Sequence, residues 1–310
     1  MAKVVLLFSG GLDSFLALNL LKKLNYEVIV VFIKTPFVKI NEKILEEAKK
    51  IADELIIYEA KEEYLEIVKN PKFGYGKQMN PCTDCKIFFY KVAEKIRKEK
   101  NADFIATGEI LGQRATQNLK KFELIEKEAN VERNVVRILS GKLLPKTLAE
   151  EKGLIRREEM LDLKGRSRKK QLELVKQLSL EIYPKPSAGC LLTDPSFANR
   201  LRDLMKHKKD FDLVDIELLK IGRHFRINNS KLILGRNEEE NRKLEELGKK
   251  YVILKPESKG PIGVLDGNDL EIALKILASY CKDEIVKIRI NDKIFEVKRE
   301  DKEVFRKFLI

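Results

Sequence analysis

The chain has 310 residues, of which 44% are hydrophobic and 36% are charged. This length fits two ordinary domains, and the apolar content excludes an intrinsically disordered chain. No apolar run approaches the roughly 20 residues of a membrane-spanning helix, and the first residues lack the pattern of a signal peptide, so we expect a cytoplasmic protein without a membrane anchor. The 62 lysines and arginines outnumber the 49 acidic residues, for a net charge of +13. This balance favours a polyanionic partner, although a solvated lysine-rich surface gives the same count.

Strand-like and helical patterns alternate along the first half of the chain. Apolar runs at 4–8, 28–33, 54–58 and 103–107 predict strands, and apolar residues at helical spacing predict helices over 12–24, 40–52 and 88–99. The alternation predicts an α/β fold, with a parallel sheet covered by helices on both faces. Residues 108–155 are less regular, 165–180 and 197–206 predict helices, and the prolines within 183–189 predict a loop.

The pattern changes after about residue 210. Short strands are predicted at 223–227, 231–234, 252–254, 285–290 and 293–297, and they are mixed with helices at 238–247, 269–281 and 300–308. We therefore predict an α/β domain over residues 1–208 and a smaller α+β domain over residues 209–310.

The first predicted strand runs directly into residues 9–14, with the sequence SGGLDS. Gly10 and Gly11 let backbone amides approach an anion, Ser9 and Ser14 add hydroxyl donors, and the following helix N-terminus favours negative charge. Asp13 beside phosphates implies a bridging Mg²⁺ ion. The alternative is a helix cap in a tight turn, without a ligand.

This loop differs from the Walker and Rossmann glycine motifs. It resembles the SGGxDS loop of the PP-loop ATP pyrophosphatases, which cleave ATP between the α- and β-phosphates and adenylate a carbonyl oxygen. The resemblance implies ATP binding. Ligands of parallel sheets bind at the carboxyl ends of the strands, so we expect Phe32 and Lys34 after the second strand, and Thr107 and Gly108 after the fourth, to flank the adenosine.

The four cysteines are too few for a disulfide scaffold. Cys82 and Cys85 have CxxC spacing before a predicted helix, whose N-terminus would lower a thiolate pKa, and Cys190 follows the loop at 183–189. Three interpretations stay open: an iron–sulfur cluster with one open iron, a zinc ion that would need His207 or His224 as a fourth ligand, or a persulfide relay without metal. Buried cysteines without chemistry are the remaining alternative.

The motif NPCxxC after the third strand, the distal Gly-Cys pair and the Ala-Thr-Gly at a strand end resemble the tRNA thiolation branch of the PP-loop family, with the 2-thiouridylases as relatives. Members with a CxxC and a third distant cysteine are associated with a 4Fe–4S cluster whose free iron binds sulfide. The resemblance covers roughly residues 1–200. It implies a tRNA substrate, a cluster on Cys82, Cys85 and Cys190, and a sulfur donor that is sulfide or a persulfide protein. We expect these cysteines and Asp13 to be catalytic, and we expect the RNA-binding extension typical of 4-thiouridine synthetases to be absent.

Residues 222–226 (GRHFR) and 232–241 (LILGRNEEEN) resemble the RNA-binding domain of the NFACT proteins. Basic residues interleaved with an aromatic residue are typical of a nucleic-acid surface. The arginines that we expect to contact RNA are Arg114, Arg137, Arg166, Arg168, Arg223, Arg226 and Arg236. Surface salt bridges are the alternative for Arg114, Arg137 and Arg166. An ordinary α+β domain with surface arginines, or a dimerisation module, is the alternative for residues 209–310.

Two other functions fit parts of the sequence. A PP-loop tRNA amine ligase would use the same ATP loop and would need no cysteine triad. A non-catalytic RNA-binding factor would bind tRNA without releasing pyrophosphate, and the intact SGGLDS argues against it. The sequence leaves open which tRNA position is modified and whether the chain forms a homodimer.

Overall fold

A computed structural model describes residues 2–39, 41–184 and 189–310. Part of the loop predicted over 183–189 therefore lies outside the described residues. The chain divides into two compact units, Met1–Cys190 and Leu191–Ile310. The predicted boundary at residue 208 differs from this division, because the helix Pro195–His207 belongs to the second unit. Asp203 of that helix forms ion pairs with Arg226 and Lys231 of the second unit's sheet.

The first unit alternates strands and helices. Its elements are β1 (Lys3–Phe8), α1 (Leu12–Lys23), β2 (Glu27–Lys34), α2 (Glu42–Ile51), β3 (Glu54–Glu59), α3 (Glu62–Lys69), α4 (Cys82–Glu99), β4 (Phe104–Thr107), α5 (Leu119–Ala129), β5 (Val135–Arg137), α6 (Leu148–Glu151) and α7 (Lys169–Gln177). The five strands pair in the order β3-β2-β1-β4-β5, and every pair is parallel. The predicted α/β fold with a parallel sheet is thus confirmed.

The middle of this sheet is buried on both faces. Residues 4–6 of β1 and 28–33 of β2 are at most 5% exposed, as expected for parallel strands with helices on either side. In the strand order, β1 lies between β2 and β4. The chain first adds β2 and β3 on one side of β1 and then adds β4 and β5 on its other side. Such a switch point opens a crevice at the carboxyl ends of the strands, which is where parallel sheets bind ligands.

The segment at 108–155 is more regular than its pattern suggested. It contains α5 and the fifth strand, β5. The short length of β5, three residues, explains why the pattern did not indicate a strand.

The second unit is built around an antiparallel sheet. Its elements are α8 (Pro195–His207), α9 (Leu213–Leu219), β6 (Arg223–Ile227), β7 (Ser230–Leu234), α10 (Glu238–Leu247), β8 (Val252–Pro256), β9 (Gly263–Asp266), α11 (Leu270–Ser279), β10 (Ile285–Ile290), β11 (Lys293–Lys298) and a 3₁₀ helix at Lys302–Phe308. The strand order is β11-β10-β8-β9-β7-β6, with antiparallel neighbours throughout. The predicted smaller α+β domain is confirmed as a fold class. None of the described helices is long and apolar enough to cross a membrane.

Candidate functional site

The SGGLDS loop closes on itself through its two serines. The Ser14 hydroxyl accepts from the Ser9 backbone amide at 3.2 Å and donates to the Gly11 carbonyl at 2.9 Å. Gly10 has a φ of +72°, a conformation that glycine adopts without strain. The N-cap residue of α1 is Gly11, and no side chain caps the helix. The first-turn amides of α1 are therefore left for another acceptor, which argues against a simple cap and fits an anion.

Gly108, at the end of β4, packs directly against this loop. A Cβ atom at Gly108 would lie 2.4 Å from the Asp13 carbonyl oxygen and 2.6 Å from the Ser14 amide nitrogen. On the other side, the ring of Phe32 approaches within 3.9 Å of the position that a Cβ at Gly10 would take. The structure thus brings two of the predicted nucleotide-flanking residues against the loop.

The other two predicted flanking residues have different surroundings. Thr107 is buried, and its hydroxyl accepts from the Glu109 amide at 3.3 Å. Lys34 is exposed at the end of β2, where its ammonium group lies 2.9 Å from the Glu59 carboxylate on β3. Both residues lie at the carboxyl edge of the sheet.

Asp13 points from the first turn of α1 toward a residue that the sequence did not single out. Gln171 on α7 is 1% exposed, and its Nε2 atom lies 3.5 Å from the Asp13 Oδ1 atom. The Gln171 Oε1 atom is buried without a hydrogen-bond partner. Because a buried amide oxygen normally accepts a hydrogen bond, this atom marks the Asp13 pocket as a place for a further polar group.

The helix that carries the cysteine pair begins six residues earlier than predicted, at Cys82 itself. Cys82 and Cys85 therefore share its first turn, at the carboxyl edge of the sheet, since α4 runs back to the start of β4. The Asn80 side chain donates to the Cys82 sulfur at 3.0 Å. Asp84 accepts from the backbone amides of Lys72 and Phe73, at 2.9 and 3.1 Å, and so fastens the preceding loop to the helix.

Cys85 is partly buried, and its surroundings favour the protonated thiol. The Tyr64 hydroxyl donates to the Cys85 sulfur at 3.1 Å. Burial raises the pKa of Cys85 to about 12, although the hydrogen bond from Tyr64 acts in the opposite direction. The expectation that a helix N-terminus would lower the thiolate pKa is therefore wrong for Cys85, because the cost of burying the charged form is larger.

The structure also brings the distant cysteine to this place. Cys190 is close enough to Cys85 and to Tyr64 for its charge to raise the pKa of both groups, and Cys82 acts on them in the same way. All three thiols are free of disulfide bonds. The predicted grouping of Cys82, Cys85 and Cys190 is thus present as a neighbourhood of three thiols.

Aromatic rings surround the Tyr64 side of this thiol group. Tyr64 stacks on Phe89 with ring centroids 6.2 Å apart, and Phe88 meets it edge-on at 5.8 Å. Phe37 completes the contact at 6.0 Å. The apolar surroundings explain why the charged thiolate is disfavoured at Cys85.

The thiols have the chemistry of iron or zinc ligands, but their arrangement is not that of a metal site. Within the described part of the chain, no three His, Cys, Asp or Glu side chains are placed to hold a metal ion together. The two histidines considered as fourth zinc ligands belong to the second unit, where the nitrogens of His207 and His224 lie 2.8 Å from the carbonyl oxygens of Asp203 and Ile221. The described residues therefore contain no preformed cluster or zinc site.

A buried ionic network lies directly beside the thiols. Glu109, just after β4, contacts the Lys86 ammonium group with one oxygen and the Tyr90 hydroxyl with the other. The Arg137 guanidinium lies 3.1 Å from the second oxygen and 2.6 Å from the Glu126 carboxylate. Burial raises the pKa of Glu109, but the charges of Lys86 and Arg137 outweigh it and lower the pKa to about 2.

This network corrects the expectation that Arg137 contacts RNA. Arg137 is 5% exposed, stacks over the Phe122 ring at 3.7 Å and has both charged partners inside the fold. Its role is to fix the carboxyl ends of β4 and β5 to α4 and α5. The sequence did not indicate this network, because Glu109, Glu126 and Arg137 lie on different elements.

Three predicted arginines of the first unit are exposed around the same edge. Arg114, Arg166 and Arg168 belong to two segments that are joined where the Gly165 amide donates to the Leu111 carbonyl at 2.8 Å. The segment with Arg114 follows β4 at the carboxyl edge of the sheet. These three side chains are available to a polyanion.

The predicted arginines of the second unit form hydrogen bonds within the protein. Arg226 makes two hydrogen bonds to the Asp203 carboxylate, at 2.9 and 2.7 Å. Arg236 is exposed but is bonded to Glu240, with the closest contact at 2.6 Å. Arg223 donates to the Gly235 carbonyl at 3.3 Å. All three arginines thus form hydrogen bonds within this unit.

Comparisons with known proteins match both units. Residues 1–142 match the family model described as Thiamine biosynthesis protein (ThiI), and residues 222–308 match the NFACT protein RNA binding domain. The chain is similar to a protein named probable tRNA sulfurtransferase of Thermococcus kodakarensis, with 34% identity over an alignment of 142 residues; the match covers 42% of this chain and 35% of the relative. A protein of the same name from Methanocaldococcus jannaschii shares 31% identity over 137 residues, 41% of this chain and 34% of the relative.

A tRNA-specific 2-thiouridylase (MnmA 2) of Fusobacterium nucleatum is 37% identical over 116 residues, 35% of this chain and 34% of the relative. The chain therefore spans about a third of the length of these relatives. Among solved structures, a predicted subunit of tRNA methyltransferase from Methanocaldococcus jannaschii aligns with a TM-score of 0.32 and 18% identity, over 43% of this chain and 67% of that chain, which is a weak overall likeness. The resemblances drawn from the phosphate loop, the cysteine motif and the LILGRN segment are confirmed for the two matched segments.

Proposed function

We propose that this protein is an ATP-dependent tRNA sulfurtransferase, which replaces a carbonyl oxygen of a tRNA uridine with sulfur. The observation that carries the proposal is the grouping of three thiols at the sheet edge that also holds the phosphate loop. The match of residues 1–142 to the ThiI family model and the similarity of the chain to proteins named probable tRNA sulfurtransferase support tRNA as the substrate. A tRNA substrate and free thiols both fit the reducing cytoplasm.

In this proposal the loop binds the phosphates of ATP. The hydroxyls of Ser9 and Ser14 and the backbone amides at Gly10 and Gly11 hold the pyrophosphate end, because they converge at the uncapped start of α1. Asp13 is the one carboxylate of the loop, and with the Gln171 amide it fits the coordination shell of a Mg²⁺ ion, which would neutralise phosphate charge when bound.

The adenosine then lies across the switch point. Phe32 and Lys34 from the end of β2 flank one side, and Thr107 and Gly108 from the end of β4 flank the other. Gly108 keeps this side open, because any side chain there would enter the loop. With ATP bound in this way, the α-phosphate would face the carboxyl edge, where a base can approach it.

Adenylation gives the base a leaving group. The uridine must be splayed out to reach the pocket. Its carbonyl oxygen attacks the α-phosphorus of ATP, the bond from that phosphorus to the bridging oxygen breaks, and pyrophosphate leaves. The base now carries AMP on its former carbonyl oxygen.

Cys82, Cys85 and Cys190 handle the sulfur in the second half of the reaction. With sulfide as donor, sulfur attacks the adenylated carbon, the carbon–oxygen bond breaks, and AMP leaves with the oxygen of the base. With a persulfide on one cysteine, its terminal sulfur attacks, a second cysteine resolves the resulting disulfide to release the thiolated base, and an external dithiol reduces the cysteine pair. We further propose that the same three thiolates hold a 4Fe–4S cluster, because thiolates are the usual ligands of such clusters. Neither route depends on the cluster.

The tRNA backbone contacts basic residues of both units in this proposal. Arg114, Arg166 and Arg168 are exposed at the sheet edge of the first unit. The second unit matches an RNA-binding domain, which supports a role in holding the tRNA.

The proposal is tested by nucleoside mass analysis of tRNA. Protein purified without oxygen is incubated with unmodified tRNA, ATP, Mg²⁺ and sulfide, and its iron content and absorbance are recorded beforehand. We expect a nucleoside in which sulfur has replaced oxygen, together with AMP and pyrophosphate. Retention time distinguishes a 2-thio from a 4-thio product, and an iron-free preparation that remains active contradicts the cluster.

Cysteine variants test the assignment of the thiols. Cys82→Ala, Cys85→Ala and Cys190→Ala are expected to abolish thiolation while ATP binding is retained. Cys281→Ala is the matched control, because Cys281 is buried in the second unit and is expected to affect stability but not product formation. Full activity in the first three variants would refute the role of the thiols, and amine incorporation in place of sulfur would favour a ligase.

A further inference from the structure

An open groove lies between α4 and the end of α5 in the first unit. Its volume is about 340 Å³, and it is lined by Lys91, Glu94, Lys95, Lys98, Ala129 and Asn130. The first four of these residues belong to α4, and the last two stand where α5 ends. The proposed function does not use this groove, although α4 is the helix that begins at Cys82.

The three lysines of the groove form a stripe along one face of α4. Lys91, Lys95 and Lys98 have i, i+4 and i+7 spacing, which places them on the same side of a helix. At a rise of 1.5 Å per residue, this lysine stripe is about 10 Å long. All three side chains are exposed, and no carboxylate of the described residues lies within ion-pair distance of Lys91.

The carboxylates near the groove do not neutralise the lysine stripe. Glu94 already receives two hydrogen bonds from the Arg97 guanidinium, at 2.7 and 2.9 Å, and its contact with Lys98 is longer, at 3.4 Å. Lys95 and Glu99 are 3.9 Å apart and both exposed, so this pair stabilises little. Residues 91–99 carry four basic and two acidic side chains, a net charge of +2. The groove therefore has positive charge to offer an anionic partner.

The lining of the groove has the composition of a nucleic-acid contact. Its one apolar side chain is Ala129, and it contains no aromatic ring. Protein–protein interfaces have an apolar, aromatic-rich centre and are depleted in lysine, whereas nucleic-acid interfaces are polar and strongly positive. The Asn130 side chain is exposed and supplies an amide, a common donor to phosphate and sugar oxygens. These features favour a nucleic-acid backbone over an acidic protein surface.

We propose that the lysine stripe binds the sugar–phosphate backbone of the tRNA, with the three ammonium groups on phosphates and the Asn130 amide beside them. Lys91 follows Cys82 by nine residues and Lys98 by sixteen, which places them about 14 and 24 Å along the helix axis from that cysteine. A tRNA whose target base reaches the thiols is large enough to cover this distance. The inference rests on the proposed function, which identifies the RNA as tRNA.

The first test measures tRNA binding by the full-length protein, using fluorescence anisotropy with an unmodified transcript at several salt concentrations. The triple variant Lys91→Ala/Lys95→Ala/Lys98→Ala removes the lysine stripe and should fold, because alanine has the highest helix propensity. We expect its Kd for tRNA to rise about thirtyfold, which is about threefold for each exposed ionic contact. The slope of log K against log salt should become shallower by roughly 2 to 3, because three phosphate contacts are lost.

The matched control is Lys43→Ala/Lys49→Ala/Lys50→Ala on α2. These three lysines are exposed on another helix of the same unit, so this variant loses the same charge and leaves the groove unchanged. Its Kd for tRNA should rise less than about threefold, because only the long-range field of the protein is altered.

The second test measures thiolation with sulfide as the donor. In the stripe variant, the KM for tRNA should rise together with the Kd, whereas kcat and the Kd for Mg-ATP should stay at the wild-type level. The reason is that the lysine stripe binds tRNA away from the thiols and does not touch the reacting atoms. A general structural defect would instead lower kcat and the free energy of unfolding.

The inference is overturned if the stripe variant binds tRNA like the wild type or if the α2 variant has an equal effect. A stripe variant that keeps its tRNA affinity and its activity with sulfide, but loses activity with a persulfide donor protein, would assign the groove to an acidic protein and also overturn the inference. These outcomes leave the proposed function intact as long as the wild type thiolates tRNA. A wild-type protein that binds no tRNA refutes the proposed function itself.

Discussion

Substituting Gly108 with alanine probes the contact that joins the end of β4 to the phosphate loop. The new methyl group would lie 2.4 Å from the Asp13 carbonyl oxygen, at least about 0.6 Å closer than the 3.0 Å that Cβ atoms reach in practice. The opposing atoms belong to the backbone of α1, so no side-chain rotation can relieve the contact. Either the loop or the end of β4 must shift.

We expect two effects of Gly108→Ala. Overpacking of a close backbone contact costs about 2 kcal/mol of unfolding free energy. The shift also moves the amides that face the phosphates, so the Kd for ATP should rise at least about tenfold, since one misplaced charged hydrogen bond accounts for that loss. Urea unfolding measures the first effect, and calorimetric titration with Mg-ATP measures the second.

Gly153→Ala is the control for Gly108→Ala. Gly153 has a φ of +68° and no atom within 4 Å of the added Cβ, so alanine there strains the backbone without touching the loop. It should cost about 1 kcal/mol of stability and leave ATP binding unchanged. Unchanged ATP affinity in Gly108→Ala, with the protein folded, would refute the assignment of this loop and strand end to the nucleotide.

Four further predictions address the first unit. In iron-free protein at pH 8, iodoacetamide should modify Cys85 about a thousandfold more slowly than a thiol with the ordinary pKa of 9.0, because the pKa of Cys85 is about 12. The reaction rate should rise about tenfold per pH unit. A fast reaction at pH 8 would contradict the raised pKa. Glu109→Gln should lower the free energy of unfolding at pH 7 by about 3 to 5 kcal/mol, because it leaves buried cations unpaired. The control Glu66→Gln, at an exposed position, should lower it by less than about 0.5 kcal/mol. Urea unfolding measures both. The pKa of Glu109 is lowered from 4.5 to about 2, so the ionised carboxylate contributes about 3 kcal/mol to the free energy of unfolding. This contribution is complete above pH 4.5 and is lost as the pH falls toward 2. Wild-type stability that does not change over this pH range would contradict the network. Asp84→Ala should cost about 2 kcal/mol, because two loop amides lose their acceptor, and increased proteolysis of the loop would report it.

The features that the sequence predicted well are local ones. The strands at Arg223–Ile227 and Ile285–Ile290 and the helix Glu238–Leu247 have the predicted bounds, because alternation or helical spacing continues up to clear turn residues. The phosphate loop was recognisable for the same reason, since strand, glycine turn and helix start lie within one short segment. The order of the five parallel strands required the structure.

The features that the sequence did not predict depend on contacts between distant segments. Arg137 resembled a surface arginine because the carboxylates that bury it, Glu109 and Glu126, lie on other elements. The pKa of Cys85 was expected to fall at a helix start, but its surroundings include Tyr64 and Phe37, which lie far from Cys85 in the sequence. Gln171 gave no signal at all, since an isolated glutamine on a helix is ordinary until its unbonded oxygen is found beside Asp13.

The most direct test of the central claim follows the oxygen that sulfur replaces. A tRNA transcript with heavy oxygen in both uracil carbonyls is incubated with the protein, ATP, Mg²⁺ and sulfide, and the nucleosides and AMP are analysed by mass. The account predicts a thiolated uridine that has lost one heavy oxygen and an equal amount of AMP that has gained it, because the base oxygen becomes a phosphate oxygen on adenylation. Thiolated uridine with unlabelled AMP would contradict adenylation of the carbonyl, and labelled tRNA that gains no sulfur under any donor would contradict the proposed function.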